Sequence, residues 1–303
     1  MQFLLYLFVF LFGLIVGSFL NVVILRLGSG QVWRLETGEA SRRGSGQGLG
    51  GRSHCPKCGH VLRWYDLIPI LSFFVLRRRC RYCGQKISWQ YPMVEITTAS
   101  LFLLITNYQL PITNEFKISQ FSNFLISDYI GLIFWLFIMS CLIVIFVYDL
   151  RHYLIPDKII YPAIIISVLF RAFEVLNFAH WNLFGIWDLG FGIWKNFFIF
   201  LLSAFGAAAF FLAVVLITRG RGMGLGDVKL AFLMGLVLGW PQILLALLLA
   251  FGSGAIVGVG LIIANRKTLK SQIPFGPFLA AGTIFTFLAG PYLINWYLSF
   301  FGL

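Results

Sequence analysis

The chain has 303 residues, 59% of them hydrophobic and only 11% charged, with a formal net charge of +12. So few charges exclude an ordinary soluble domain, and several apolar runs approach the roughly 18 residues needed to cross hydrocarbon. The basic residues flank those runs and form no nucleic-acid motif, so they read as topology signals and headgroup contacts with a lipid bilayer, and no nucleic-acid partner is expected.

In chain order, the first span is expected over Phe3–Leu25. It lacks the basic start of a secretory signal and meets its first basic residue only at Arg26, which favours a retained span with its N-terminus outside. A polar segment, Arg26–Tyr91, follows. Within it Gly28–Gly51 reads as a flexible linker. The faint glycine-loop echo at Gly44–Gly48 has no strand before it and no helix after it. Further spans are expected over Pro92–Thr106, Tyr129–Tyr148, Ile159–Leu176, Asn196–Ile217, Asp227–Trp240, Ile243–Ala264 and Phe278–Leu298. A polar loop holds Glu115, Lys117 and Asp128, and a tryptophan-bearing interfacial loop is expected over Asn177–Lys195. The fold class is therefore an all-α polytopic membrane protein of about eight transmembrane helices. Three parts are expected: residues 1–25, the first helix; 26–91, a cytoplasmic linker and metal module; and 92–303, the membrane catalytic domain. No internal repeat is evident.

Eight spans with the N-terminus outside place 20 of the 23 Lys and Arg on the cytoplasmic side. Only Lys117, Arg171 and Lys195 fall elsewhere. That asymmetry is the positive-inside pattern. It also puts Asp149, at the end of the third span, and Asp227, at the start of the sixth, near the same membrane face.

Carboxylates at membrane depth are costly and are usually functional. Two that meet can share a proton, one acting as base toward water and the other as acid toward a leaving nitrogen. Gly224 and Gly226, in Gly224-Leu-Gly-Asp227, allow close backbone approach and positive φ. The competing reading pairs each aspartate with Arg151, Lys158 or Lys229 at the interface. A proton-coupled transporter would also use membrane carboxylates, but polar residues deeper in the spans are sparse. Asp157 reads as the cap of the fourth span. Glu95 either forms a structural ion pair or lines the site. Ile273-Pro-Phe-Gly-Pro-Phe278 is an irregular entry to the last span: a plain turn, or backbone free to hold an extended substrate.

Cys55-Pro-Lys-Cys58 and Cys80-Arg-Tyr-Cys83 are separated by twenty-one residues, and each pair is followed by glycine. Two such pairs form the pattern of a closed tetrahedral Zn2+ site, structural because all four ligands are protein. A cytoplasmic setting disfavours disulfides. Free thiols or a redox pair are the alternatives. A bare zinc scaffold that recruits partners would leave the aspartates without a role. His54, His60 and Asp66 read as neighbours of the site rather than ligands.

Taken together, these motifs resemble the bacterial prepilin peptidases, the type IV leader peptidases. The resemblance rests on Gly17-Ser-Phe-Leu-Asn-Val-Val-Ile-Leu-Arg26, the cysteine pairs, Trp64-Tyr-Asp-Leu-Ile-Pro-Ile-Leu-Ser72 and Tyr91-Pro-Met-Val-Glu95. Further on it rests on Tyr148-Asp149, Ile155-Pro-Asp157, Gly224-Leu-Gly-Asp227 and Pro274-Phe-Gly-Pro277. It implies an intramembrane aspartyl endopeptidase in the bacterial inner membrane that removes the basic leader of type IV prepilins and type II secretion pseudopilins at the cytoplasmic face. It also implies N-methylation of the new terminus with S-adenosylmethionine. The resemblance places the catalytic pair on Asp149 and Asp227 and the zinc ligands on Cys55, Cys58, Cys80 and Cys83. Gly224, Gly226, Glu95, Pro274, Gly276 and Pro277 stand as supporting residues. The chain departs from the family pattern at Gly28, where many relatives have proline, and in its long glycine-rich linker.

Overall fold

Without water, a chain crossing hydrocarbon must pair every backbone N–H and C=O internally, and the helix does this within one segment. The computed structural model describes residues 2–36, 53–55, 58–109, 126–181, 189–220, 222–264, 266 and 273–300. Among the described residues nine α-helices form: α1 (Gln2–Glu36), α2 (Leu71–Val75), α3 (Gln90–Gln109), α4 (Ile126–His152), α5 (Asp157–Trp181), α6 (Leu189–Ile217), α7 (Leu225–Leu238), α8 (Gln242–Ile263) and α9 (Gly276–Phe300). Five of them, α1, α4, α6, α8 and α9, are long and apolar enough to cross a membrane. The other three expected spans coincide with helices α3, α5 and α7, the last of only 14 residues.

The helices also outrun two expected loops. The first continues through Gly28 to Glu36, where a linker was expected. Residues 37–52 lie outside the described residues. The tryptophan-bearing loop is helical to Trp181 and again from Leu189. The polar loop around Glu115 and Lys117 and the glycine run at 44–48 also lie outside the described residues.

The chain divides into two compact units, Met1–Asn123 and Phe124–Leu303. In the first, α1 packs along α3. Gly13 and Gly17, one turn apart, permit this: a Cβ at Gly13 would lie 2.6 Å from the Cα of Ala99, and one at Gly17 would lie 2.7 Å from the Cα of Glu95. Small residues four apart are the usual means of close helix approach in lipid. The segment between α1 and α3 folds into two β-knuckles, with antiparallel bridges His54–Val61 and Arg79–Lys86. The described hydrogen bonds of the two knuckles correspond: the Cys55 N–H donates to His60 as that of Cys80 does to Gln85, and the Gly59 N–H to Cys55 as that of Gly84 does to Cys80.

In the second unit α7 is the hub, packed by α5, α6, α8 and α9. From Leu230 to Leu238 all but one of its residues are buried. A Cβ at Gly235 would run into the backbone of Ala204 on α6, so glycine sets that crossing distance. The far end of α7 is closed by Arg171 of α5, which is only 7% exposed. Its guanidinium donates to the carbonyls of Leu236 (3.1 Å) and Val237 (2.7 Å), pairs with Glu174 at 2.7 Å, and lies 3.6 Å from the ring centroid of Phe200. The last carbonyls of a helix have no intrahelical partner, and inside a bundle they need one.

Candidate active site

Asp149 sits in the last turn of α4 and is 4% exposed. The helix ends when Tyr153 turns to φ 55 and donates its N–H to the Asp149 carbonyl at 2.9 Å. The chain then reverses through Leu154, Ile155 and Pro156 into α5. Asp227 lies in the first turn of α7, half-buried. Its carboxylate accepts the N–H of Gly224, the helix N-cap, at 3.1 Å. That is the reciprocal half of a capping box, and it holds the side chain against its own helix end.

The two carboxylates are close enough for the charge of Asp227 to act on Asp149. Asp149 also accepts the backbone N–H of Gly276, the first residue of α9. No described cation pairs with either aspartate. Lys229 is taken by Asp157 at 2.6 Å. The interface-pairing reading therefore fails at Lys229, the basic residue nearest Asp227 in sequence. Asp157 is the first residue of α5 rather than its cap, and its carboxylate ties α5 to α7.

Gly276 has a definite steric role. A Cβ there would lie 2.5 Å from Oδ2 of Asp149 and 3.4 Å from Cδ1 of Ile155. At Gly226 a Cβ would meet the Ile155 Cβ at 3.1 Å. Ile155 therefore wedges between the two glycine-bearing helix starts and sets the spacing of the three segments. Sequence reading did not single out this role, although Ile155-Pro156 belongs to the quoted motifs. The expected positive φ is not used at the other two glycines: Gly224 is extended, at φ −90, and Gly226 is helical. Pro277 does not break the helix but occupies its first turn, where a missing N–H costs nothing. Pro274 lies just outside, and the Phe275 carbonyl starts the helix by accepting from Phe278 and Leu279. Glu95 belongs to the first unit, where it accepts the Ile70 N–H at 2.8 Å and is also hydrogen-bonded to Ser18.

The cysteine module is built locally. Gly59 and Gly84 adopt φ 71 and 68 and donate back to the carbonyls of Cys55 and Cys80, both at 2.9 Å. Left-handed backbone there is what glycine provides. The four sulfurs of Cys55, Cys58, Cys80 and Cys83 all lie within 4.8 Å of one another. A tetrahedral zinc with ~2.3 Å bonds spaces its sulfurs by about 3.8 Å, so the cluster fits such an ion. His54 and His60 are not members; His60 stacks on Tyr82 at 3.6 Å. Asp66 joins the knuckles instead, accepting from Arg81 (2.8 Å), the Arg63 N–H (3.2 Å) and the Tyr82 hydroxyl (3.3 Å). The Gln85 N–H favours the Cys83 thiolate, but burial and the thiols of Cys80, Cys58 and Cys55 outweigh it and push Cys83 up to about 11. Four thiols held this closely ionise together only around a cation.

Two family models match the chain: the Bacterial Peptidase A24 N-terminal domain over residues 11–108 and the Type IV leader peptidase family over residues 136–259. The chain is 32% identical to the prepilin leader peptidase/N-methyltransferase of Aeromonas salmonicida, over 96% of this chain and 93% of that one. It is 30% identical to the Pseudomonas aeruginosa protein of the same name, with the same shares covered. It is also 30% identical to the Burkholderia pseudomallei protein, over 93% and 85%. No solved structure matches.

Proposed function

Since the chain belongs to the type IV leader peptidase family, we propose that it is an intramembrane aspartyl endopeptidase that removes the basic leader from prepilins and pseudopilins and N-methylates the terminus so exposed. The observation that supports the peptidase chemistry best is a close carboxylate pair, one member buried and the other half-buried, each held by a backbone N–H, with no described cation on either.

Asp149 and Asp227 hold a water between them and carry one proton between them. The ionised carboxylate takes a proton from the water as its oxygen attacks the scissile carbonyl. The other carboxylate then protonates the leaving nitrogen, the carbon–nitrogen bond breaks, and the pair returns to its starting charge. The Gly276 and Gly224 N–H groups fix the two carboxylates so that little reorganisation remains for the reaction itself. The pair titrates as a unit.

Orientation follows the charge map: N-terminus outside, with the cysteine module and the aspartates toward the cytoplasm, in the inner membrane of a bacterium. Cys55, Cys58, Cys80 and Cys83 would hold a structural Zn2+ that closes the knuckles of residues 26–91. S-adenosylmethionine would supply the methyl group. Incubating the purified protein with a prepilin, with and without S-adenosylmethionine, and reading intact mass tests both activities. Loss of the leader followed by gain of one methyl is expected. An uncut substrate overturns the peptidase assignment, and a cut but unmethylated one overturns the methylation alone.

A further inference from the structure

The short helix α2 exposes more apolar surface than a water-facing turn requires. Its inward side chain is Phe73, 5% exposed, with its ring 5.2 Å from that of Trp89. Leu71, Phe74 and Val75 are 57%, 58% and 67% exposed. The turn Trp64–Leu67 packs on α2 and adds Trp64, 78% exposed, and Leu67. Large apolar side chains gathered in so small an element mark a surface with a partner.

The depth of α2 says which partner. Ile70, the residue before it, donates its N–H to the Glu95 carboxylate at 2.8 Å. Glu95 lies where α3 crosses Gly17 of α1. Gly17 is ten residues before Leu27, the end of the apolar span Phe3–Leu27, or about 15 Å along the helix axis. That span is about 37 Å long against about 30 Å of hydrocarbon. With all of the excess at this end, Gly17 still lies about 8 Å inside. Val22 and Leu25 of α1 line one cavity of about 400 Å³ together with Phe73 and Leu76, so α2 runs level with the last turns of the span and not beyond it. Its backbone suits that depth, because donors are spent within the protein: Ile70 on Glu95, Ser72 on Ile68, Phe74 on Ile70 and Leu76 on Ser72. Where the apolar face stops, Arg77, Arg78 and Arg79 follow, the first two at φ 49 and 60. Arg77 and Arg79 are exposed, and Arg78 lies 5.1 Å from the ring centroid of Trp89. Asp66 is the sole acidic residue between Ser53 and Gln90, and it is taken by Arg81. None of the described ion pairs uses the three arginines.

We infer that α2 is an interfacial lipid anchor. Leu71, Phe74 and Val75 enter the acyl chains of the leaflet at the C-terminal end of the α1 span, and Arg77 and Arg79 take the phosphates of anionic phospholipids there. An apolar face sunk at the headgroup boundary, with basic residues on its rim, is how a segment lies in a bilayer without crossing it. Trp64 and Trp89, 78% and 51% exposed, belong to the zone that indole rings favour. The contact gives the first unit a second hold on the bilayer beside α1 and fixes the height of the knuckles against the membrane surface.

The test uses the full-length protein in nanodiscs of equal parts phosphatidylcholine and phosphatidylglycerol. Phe74 is replaced by the photocrosslinking p-benzoylphenylalanine, and Val75 in a second protein, so that the result does not depend on one substitution. Gln85, exposed on the second knuckle, carries the same replacement as the control. After irradiation, intact mass should show phospholipid adducts at Phe74 and Val75 several-fold more abundant than at Gln85. Phosphatidylglycerol should exceed phosphatidylcholine several-fold among them. Arg77→Gln combined with Arg79→Gln should bring that ratio close to unity while the adducts persist. Adducts at Phe74 and Val75 no more abundant than at Gln85, or cross-links to protein in place of lipid, overturn the anchor. An unchanged lipid ratio in the arginine variant overturns the headgroup contact.

Discussion

Each unit gathers like-charged acidic groups, and the two do so for opposite ends. The knuckles bring four thiols within 4.8 Å of one another, close enough for one metal ion to be held by all of them. The helix ends bring two aspartates together and keep cations off them, with Lys229 diverted to Asp157. In the first case charge is to be neutralised and the structure tied down. In the second, on the reading proposed above, it stays labile because a proton moves between the two carboxylates. Each knuckle of the first is made from residues a few positions apart, whereas the second is made from three helices.

Substitutions that remove the labile charge should have the largest effect. Asp149→Asn and Asp227→Asn should each lower the rate of leader removal by roughly 10²–10⁴-fold. Circular dichroism and thermal unfolding should stay unchanged. Near-normal turnover in either variant would break the contrast between the units. Next comes geometry without chemistry. Gly276→Ala sets a methyl 2.5 Å from Oδ2 of Asp149, and a displacement near 1 Å at a reacting group costs about 10²-fold. Gly226→Ala meets only the side chain of Ile155, at 3.1 Å, and should lose much less in the same kinetic assay.

On the other side of the comparison, Cys55→Ser or Cys80→Ser should remove bound zinc, measured by elemental analysis, and lower the melting temperature of the first unit. Because the metal-free Cys83 thiol is pushed up to about 11, ion binding must release protons at neutral pH. Zinc affinity should therefore fall as pH falls, readable by competition with a chelating dye. Smallest of all is the surface tie: Lys229→Ala removes a pair whose Asp157 side chain is 60% exposed. It should cost about 1 kcal/mol or less by denaturant titration, with leader removal nearly intact.

The legibility of the two sites follows from how local they are. The cluster of four cysteines and its knuckle glycines could be read from spacing, because the contacts that close each knuckle span a few residues. The two aspartates stood out in the sequence as carboxylates at the ends of apolar runs, and the fold brings them near each other. Their supporting atoms were not. Gly224 matters through its N–H rather than its φ, and Gly276 through the space it leaves beside Asp149. Ile155 matters through two glycines more than 70 and 120 residues further along the chain. Those facts are set by which helix ends meet, and periodicity contains no record of that. Glu95 read as an ion-pair or site residue; its surroundings placed it in a cavity of its own.

The closure of α7 by Arg171 bears on the lipid as much as on the protein. Fourteen residues reach about 21 Å, whereas bilayer hydrocarbon is about 30 Å thick. Such a helix would normally leave its last carbonyls facing acyl chains, which forbids stopping there. With a guanidinium bound to two of them, α7 can end inside the bundle. A helix too short to cross on its own can therefore start at Asp227's turn and stop within the bundle with its last carbonyls paired.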